Sequence, residues 1–377
     1  MTCAVEIAAV KQTRLSLSVK CSSRPTFIYK LVLKIVVVIN KHDLEMSSSA
    51  WSDTVLQLLR RMNNFYSPGS RRAKCFRFEI DGAHVGWIPP RVAPLLTRYP
   101  DVFTPPDGGA VSLVPRLESC EERSEAVDAV LRALRQEGSL SCLKGWRDEN
   151  YSVMPKFSDP PLMWMERAAT SLFGVKRYGV HINGYTVSDS GEVSMWLARR
   201  SPSKQTYPGL LDNLVSTDLT CPCARARCHR DEQRVNGGGS CAVFLKAAGG
   251  LAAGVSIKHT LIKECQEEAC IPAAIAEKAL PVSTVSYTYE EEEGIFAESQ
   301  FVFDVKLPRD FKPRIGDGEV QDFYLLPIDE VKELLATDDF KPNCAMVVLD
   351  FLIRHSFIEP DTERFYQEFV EGLHQTL

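Results

Sequence analysis

Residues 248–272, AGGLAAGVSIKHTLIKECQEEACIP, constrain this chain more tightly than any other stretch. Gly249, Gly250 and Gly254 allow a tight, sterically open loop. Ser256 can cap the helix that follows, over residues 257–270. Pro272 blocks continuation and pushes Ile271 toward extended geometry. At about 100° per residue, Glu264, Glu267 and Glu268 fall within one arc of roughly 100°. Leu261, Ile262, Cys265 and Ala269 fall mainly on another, suited to packing on a sheet.

Those carboxylates are badly placed for stability alone. Glu264 and Glu268 are a like-charge i,i+4 pair that costs a few tenths of a kcal/mol. Glu267 and Glu268 also stand in the last turn, where the helix dipole disfavours negative charge. A divalent cation reverses both penalties. The donors are hard oxygens, so Mg²⁺ or Mn²⁺ fits better than zinc. The competing reading is a solvated acidic face.

A chain of 377 residues holds two or three domains on ordinary size grounds. The formal net charge of -5 argues against a nucleic-acid polymer as partner. The most apolar run, residues 31–39, is too short to span a bilayer and is broken by Lys34, so no membrane role is expected. The scattered cysteines suggest reduced thiols and a cytoplasmic protein. The first thirty residues carry one acid, Glu6, beside Lys11, Arg14, Lys20, Arg24 and Lys30. An organellar transit segment, mitochondrial or other, is therefore the alternative, and Met46 is a second candidate start.

Periodicity predicts a helix over residues 51–62, a hairpin of strands 75–80 and 84–88, and a helix over 121–134. Residues 144–159 read as irregular, which places a boundary near 160, and 161–172 as a helix. A hairpin follows over 177–188 and 192–198, then strands at 283–289, 296–305 and 323–326. Helices at 328–335 and 343–354 close the pattern. Strands mixed with flanking helices in this order indicate an α/β (α+β) sandwich.

The segment from Gly249 to Ile271 resembles the Nudix box, G-x5-E-x7-R-E-U-x-E-E-x-G-U. Gly249, Glu264, Cys265, Glu267, Glu268 and Ile271 match. Val255 stands for the first glutamate, Lys263 for the arginine and Cys270 for the later glycine. Lys263 keeps a positive charge without the planar fork. LFGVKRYGVHINGY…MWLARRSPSKQTYPGLLDN upstream and DGEV at 317–320 resemble the thiamine pyrophosphokinase-related Nudix group. FRFEIDGAHVGWIPP…YPDVF resembles the accessory domain that precedes the Nudix domain there.

The resemblance implies a leader at 1–48, an accessory domain at 49–160, a Nudix α/β/α sandwich at 161–355 and a C-terminal tail or helix at 356–377. It implies Mg²⁺-dependent cleavage of a small-molecule diphosphate, foremost an oxidised thiamine diphosphate, to a monophosphate and phosphate. An oxidised guanine deoxynucleotide (8-oxo-dGDP or dGTP) is the alternative substrate. Glu264, Glu267 and Glu268 are expected to ligate the metal, one acting through water or as general base. Lys263 orients them, and the catalytic assignment falls on Glu264, Glu267 and Lys263. Gly249, Gly250, Asp212, Asn213, Arg199, Arg200 and Glu319 are the expected substrate contacts.

Residues 216–247 interrupt the resemblance. Cys221, Cys223, Cys228, His229 and Cys241 lack the paired spacing of a zinc ribbon. Either residues 214–215 or 242–245 supply the strand that leads into Gly249. A misplaced strand would tilt the metal helix, so a catalytically impaired Nudix-like binding protein is the second functional reading. An isopentenyl-diphosphate isomerase is the third, but the Cys-Ser-His-Pro-like context it needs before the box is missing.

Overall fold

The computed structural model describes residues 48–218 and 257–375. The leader before residue 48, the cysteine-rich part of 216–247, Gly249, Gly250 and Val255 lie outside the described residues.

Helix α1 (Ser48–Met62) repeats its apolar side chains at helical spacing, and Val55, Leu59 and Met62 are buried. Strands β1 (Phe76–Ile80) and β2 (Ala83–Ile88) pair antiparallel, with β3 (Ala110–Ser112) parallel to β1. Asp81 and Gly82 make their turn at positive φ, 50° and 75°. Helix α2 (Cys120–Glu137) begins in a capping box between Ser119 and Glu122 and ends at Gly138, φ 70°. Its Val127, Val130, Leu131 and Leu134 pack into one apolar cluster with Phe78, Phe103 and Phe173.

Residues 161–172 depart from the expected helix. Strand β5 (Met163–Glu166) pairs antiparallel with β4 (Asn150–Val153), and a 3-10 turn (Arg167–Ala169) and one helical turn (Thr170–Phe173) follow. Met163 and Met165 alternate into the core, and the Ser124 hydroxyl accepts from Trp164 N at 2.7 Å. A non-local partner has overridden a run of good helix formers. The 144–159 stretch is correspondingly less irregular than expected, because β4 lies in it.

Among the described residues, the main sheet has seven strands. Strands β6 (Lys176–Val187) and β7 (Val193–Arg200) form the expected hairpin. Strands β8 (Leu211–Asp212) and β9 (Val215–Asp218) are short pieces paired to β7 and β6. Residues 214–215 thus lead into a strand. Strand β10 (Leu280–Glu291) pairs with β11 (Gly294–Lys306), which runs parallel to β6, and β12 (Val320–Pro327) pairs with β7. One edge of β6 is divided: residues 179–182 pair with β9 and 184–187 with β7. The sheet forks there.

Helix α3 (Ile257–Ala269) seats Leu261, Cys265 and Ala269 on Tyr178, Val180, Ile182, Phe303 and Val305. Burying Leu261 contributes about 1.5–3 kcal/mol. The next residues along β6 alternate to the other face, where Tyr185 meets Phe351 of α5 (Pro342–Arg354) at 5.5 Å between centroids. Helix α4 (Ile328–Leu334) follows β12 directly. The result is a mixed α+β fold with a helix on each face of its main sheet.

Candidate active site

Helix α3 ends in a left-handed residue, Cys270, φ 51°. Ile271 N closes the turn onto Cys265 O at 2.9 Å, and the left-handed position that ends the helix ordinarily takes glycine. The last carbonyls of the helix find donors in the 314–316 loop. Arg314 N reaches Ala269 O at 3.0 Å and Gly316 N reaches Glu268 O at 3.2 Å. A Cβ on Gly316 would stand 1.7 Å from Glu267 O. Only glycine allows this approach, and it carries Asp317 and Glu319 to the carboxylate end of the helix.

Glu264 and Glu268 are each 6% exposed, whereas Glu267 reaches solvent. Burial pushes the Glu264 carboxyl up to about 7, with Lys263 opposing the rise and Glu267 adding to it. Burial also holds the Glu268 carboxyl well above the usual range, assisted by Glu264, Glu319, Asp212 and Asp317. Lys263 Nζ stands 3.3 Å from Glu267 Oε2 and 3.6 Å from Glu264 Oε1. Glu264 Oε1 is buried and accepts no hydrogen bond among the described residues. Glu268 Oε2 accepts from Ser216 N at 3.3 Å. Of the two buried carboxylates only Glu264 has this lysine beside it, so the pair is under-compensated, and a buried carboxylate oxygen that accepts no hydrogen bond is what a hard cation takes. The residues present fit a divalent ion.

A tighter convergence of ligand atoms exists elsewhere. His181, Asp212 and Cys344 bring theirs within 4.8 Å of one another. Asp212 is already held by Arg200 Nη1 at 2.7 Å and Lys341 Nζ at 3.6 Å, and Cys344 Sγ donates to it at 2.7 Å. Burial raises the Asp212 carboxyl, but Lys341 and Arg200 outweigh it and leave the group below its ordinary value. Two cations at one carboxylate repel a third. Glu264, with one lysine beside it, is less fully compensated.

A cavity of about 450 Å³ opens over the carboxylates. One wall carries Glu264, Glu267, Glu268, Asp317 and Glu319, the last joined to Lys204 at 2.5 Å. Another is aromatic, with Tyr207, Tyr287, Tyr289 and Phe296. Tyr289 and Phe296 lie parallel at 4.8 Å. Arg147, Arg167, Arg177, Arg200 and Lys341 supply positive charge.

The sequence-derived substrate contacts separate accordingly. Arg200 and Glu319 line the cavity. Arg199 does not: as the next residue along β7 it points the other way, into a two-point contact with Asp339 at 2.5 and 2.8 Å. Asp212 and Asn213 line a smaller recess beside Glu268 and Glu319 rather than this cavity. Asp212 anchors Arg200, and Asn213 Oδ1 lies 2.8 Å from His181 Nδ1. Arg147, Arg167, Arg177, Lys204 and the aromatic wall were not anticipated. The adjacent arginines at 199–200 drew attention because they were paired in sequence, whereas Arg147 and Arg167 stand alone in theirs.

Residues 54–177 match a family described as a domain of unknown function (DUF4743). Nudix hydrolase 20, chloroplastic, of Arabidopsis thaliana is 37% identical over 297 residues, covering 76% of this chain and 70% of that protein. Nudix hydrolase 24, chloroplastic, of the same plant is 36% identical over 287 residues, covering 76% and 69%. Among solved structures, a MutT protein from Methanosarcina mazei Go1 aligns at TM-score 0.30 and 14% identity over 49% of this chain and 96% of that one, too distant to add weight. By its similarity to the two plant proteins, this chain belongs to the Nudix hydrolase family.

Proposed function

We propose that this hydrolase cleaves a diphosphate linkage with Mg²⁺ or Mn²⁺ held by Glu264, Glu267 and Glu268, and that its substrate is an oxidised thiamine diphosphate. The observation that carries the metal part is the pair of buried, under-compensated carboxylates, Glu264 and Glu268, on one wall of a cavity otherwise rich in arginine and lysine. Such an ion, when bound, neutralises diphosphate charge and acidifies an attacking water.

The chain's own side chains do the rest. Lys263 holds Glu264 and Glu267 in register on the helix. Glu267, the exposed member, is placed to take a proton from water, and Glu319 approaches from the 317–320 turn. Arg200, braced from behind by Asp212, offers its guanidinium to a phosphate. The aromatic wall of Tyr207, Tyr289 and Phe296 gives apolar surface for a heteroaromatic ring to pack on. That surface suits a thiamine ring and equally an oxidised guanine, so 8-oxo-dGDP remains the alternative substrate.

The departures at Val255, Lys263 and Cys270 favour a second reading, a weakly active Nudix-like binding protein. We retain the division into an accessory region to residue 160 and a hydrolase region beyond it as part of the proposal. The basic composition of the first thirty residues and the chloroplastic names of both relatives favour an organelle over the cytoplasm. No helix among the described residues is long and apolar enough to cross a membrane.

The test is a panel of oxidised thiamine diphosphates, nucleoside diphosphates and sugar nucleotides, with Mg²⁺ and with chelator. It compares the full chain, Glu268→Gln and a deletion of 216–247. Metal-dependent phosphate release, lost in Glu268→Gln, is expected. Turnover only after the deletion would mark that segment as disabling, and none in any form would favour the binding protein.

A further inference from the structure

We infer that the region matched by the domain of unknown function forms a wall of the hydrolase cavity, and that its Arg147 and Arg167 select substrates by binding oxygen acceptors on the part of the molecule remote from the cleaved diphosphate. This inference rests on the reading above and names what it leaves open, the group that distinguishes one diphosphate from another.

The β4–β5 hairpin places both arginines. Asn150 pairs with Glu166, and Arg167 N extends the ladder by one step to Glu149 O at 2.7 Å. Residues 147–149 and 167 therefore leave the hairpin at the same end, and both arginines line the cavity that holds Glu264 and Glu268. Their backbones are fixed from below. The Glu166 carboxylate, 2% exposed, accepts from Arg147 N at 3.0 Å and from Ala168 N at 3.1 Å.

Both guanidinium groups are held in place on the wall. Arg167 Nη1 meets Glu149 Oε2 at 2.9 Å. Arg147 donates through Nη2 and Nε to Gln205 Oε1, at 2.7 and 3.2 Å. Gln205 belongs to the 201–209 loop. Lys204 in that loop reaches Glu319, and the carbonyls of Thr206 and Tyr207 accept from Arg200 at 2.8 and 3.0 Å. The upstream region is thus tied through one loop to both the carboxylate wall and the phosphate-facing arginine. Planar guanidinium forks on a preformed wall match carbonyl, carboxylate or phosphate oxygens.

The probes are inorganic pyrophosphate, oxothiamine diphosphate and dGDP, titrated calorimetrically with Mg²⁺ into the full chain and its Arg147→Ala, Arg147→Lys, Arg167→Ala and Arg167→Lys variants. The unmodified chain should bind at least one larger probe tighter than pyrophosphate. The alanine variants should weaken that binding by about tenfold and leave pyrophosphate within about twofold, with the lysine variants between. In turnover the same changes should raise KM and leave kcat within about threefold. Equal loss for pyrophosphate and the larger probes, or no loss in variants that melt like the parent, would overturn the inference. So would a parent chain that binds no larger probe tighter than pyrophosphate. Selective weakening in a parent chain without hydrolysis would support it while the enzymatic reading fails, which keeps the two distinguishable.

Discussion

Replacing Glu264 by glutamine probes the under-compensated charge on helix α3. Burial lifts this carboxyl from an ordinary 4.5 to about 7. A folded-state value above the unfolded one means that the folded chain holds the proton more tightly. In metal-free protein the group therefore costs nothing below pH 4.5, costs progressively more up to about pH 7, and a constant amount beyond. At about 1.4 kcal/mol per unit, the full cost is about 3 kcal/mol. Glutamine keeps the shape and removes the charge. Glu264→Gln should match the parent chain near pH 4.5 and exceed its stability by up to about 3 kcal/mol at about pH 8 in chelator. Magnesium at ten times its dissociation constant should return about 1.4 kcal/mol to the parent alone. The assay is urea unfolding followed by tryptophan fluorescence across that pH range, with chelator and with magnesium. Parallel pH curves for the two chains in chelator, or a variant less stable at the alkaline end, would refute the reasoning.

Cys270→Gly should raise stability by about 1 kcal/mol, because the left-handed backbone at φ 51° disfavours any Cβ; thermal melting reads it, and no change would show the position unstrained. Arg200→Ala should cost about 3–5 kcal/mol by leaving the buried Asp212 carboxylate without its closest cation, measured by urea unfolding. Because Asp212 sits below its ordinary value, that deficit should be full at neutral pH and shrink as acid protonates the group. Gly316→Ala should depress phosphate release as well as the melting temperature, since its Cβ collides with Glu267 O and dislodges Asp317 and Glu319. A fully active alanine variant would show that this loop does not position the site.

Helix α3 was legible in the sequence because helical geometry alone sends residues 264, 267 and 268 to one side and 261, 265 and 269 to the other. The 177–198 hairpin was legible for a similar reason, through alternation around a three-residue turn. Residues 161–172 were not. PLMWMERAATSL holds good helix formers and no breaker beyond its leading proline, and only the partner at 150–153, outside any local window, makes Met163–Glu166 a strand. The arginines at 147 and 167 were lost with that hairpin. Arg199 shows the converse error. Two neighbours on a strand face opposite ways, so the pair could not have lined one cavity together. Asp212 and Asn213 open instead on a smaller recess beside Glu268 and Glu319, a distinction of depth that sequence does not carry. Tyr289 and Phe296 read only as strand residues, since their stacking depends on the β10–β11 register.

Manganese binding, followed by the loss of its free-ion electron paramagnetic resonance signal, tests the role of the three glutamates most directly. The full chain should take up the ion at a site that disappears in the Glu264→Gln, Glu268→Gln double variant while both chains remain folded. Undiminished uptake by the double variant, or none by the parent, would contradict a divalent metal at the end of that helix.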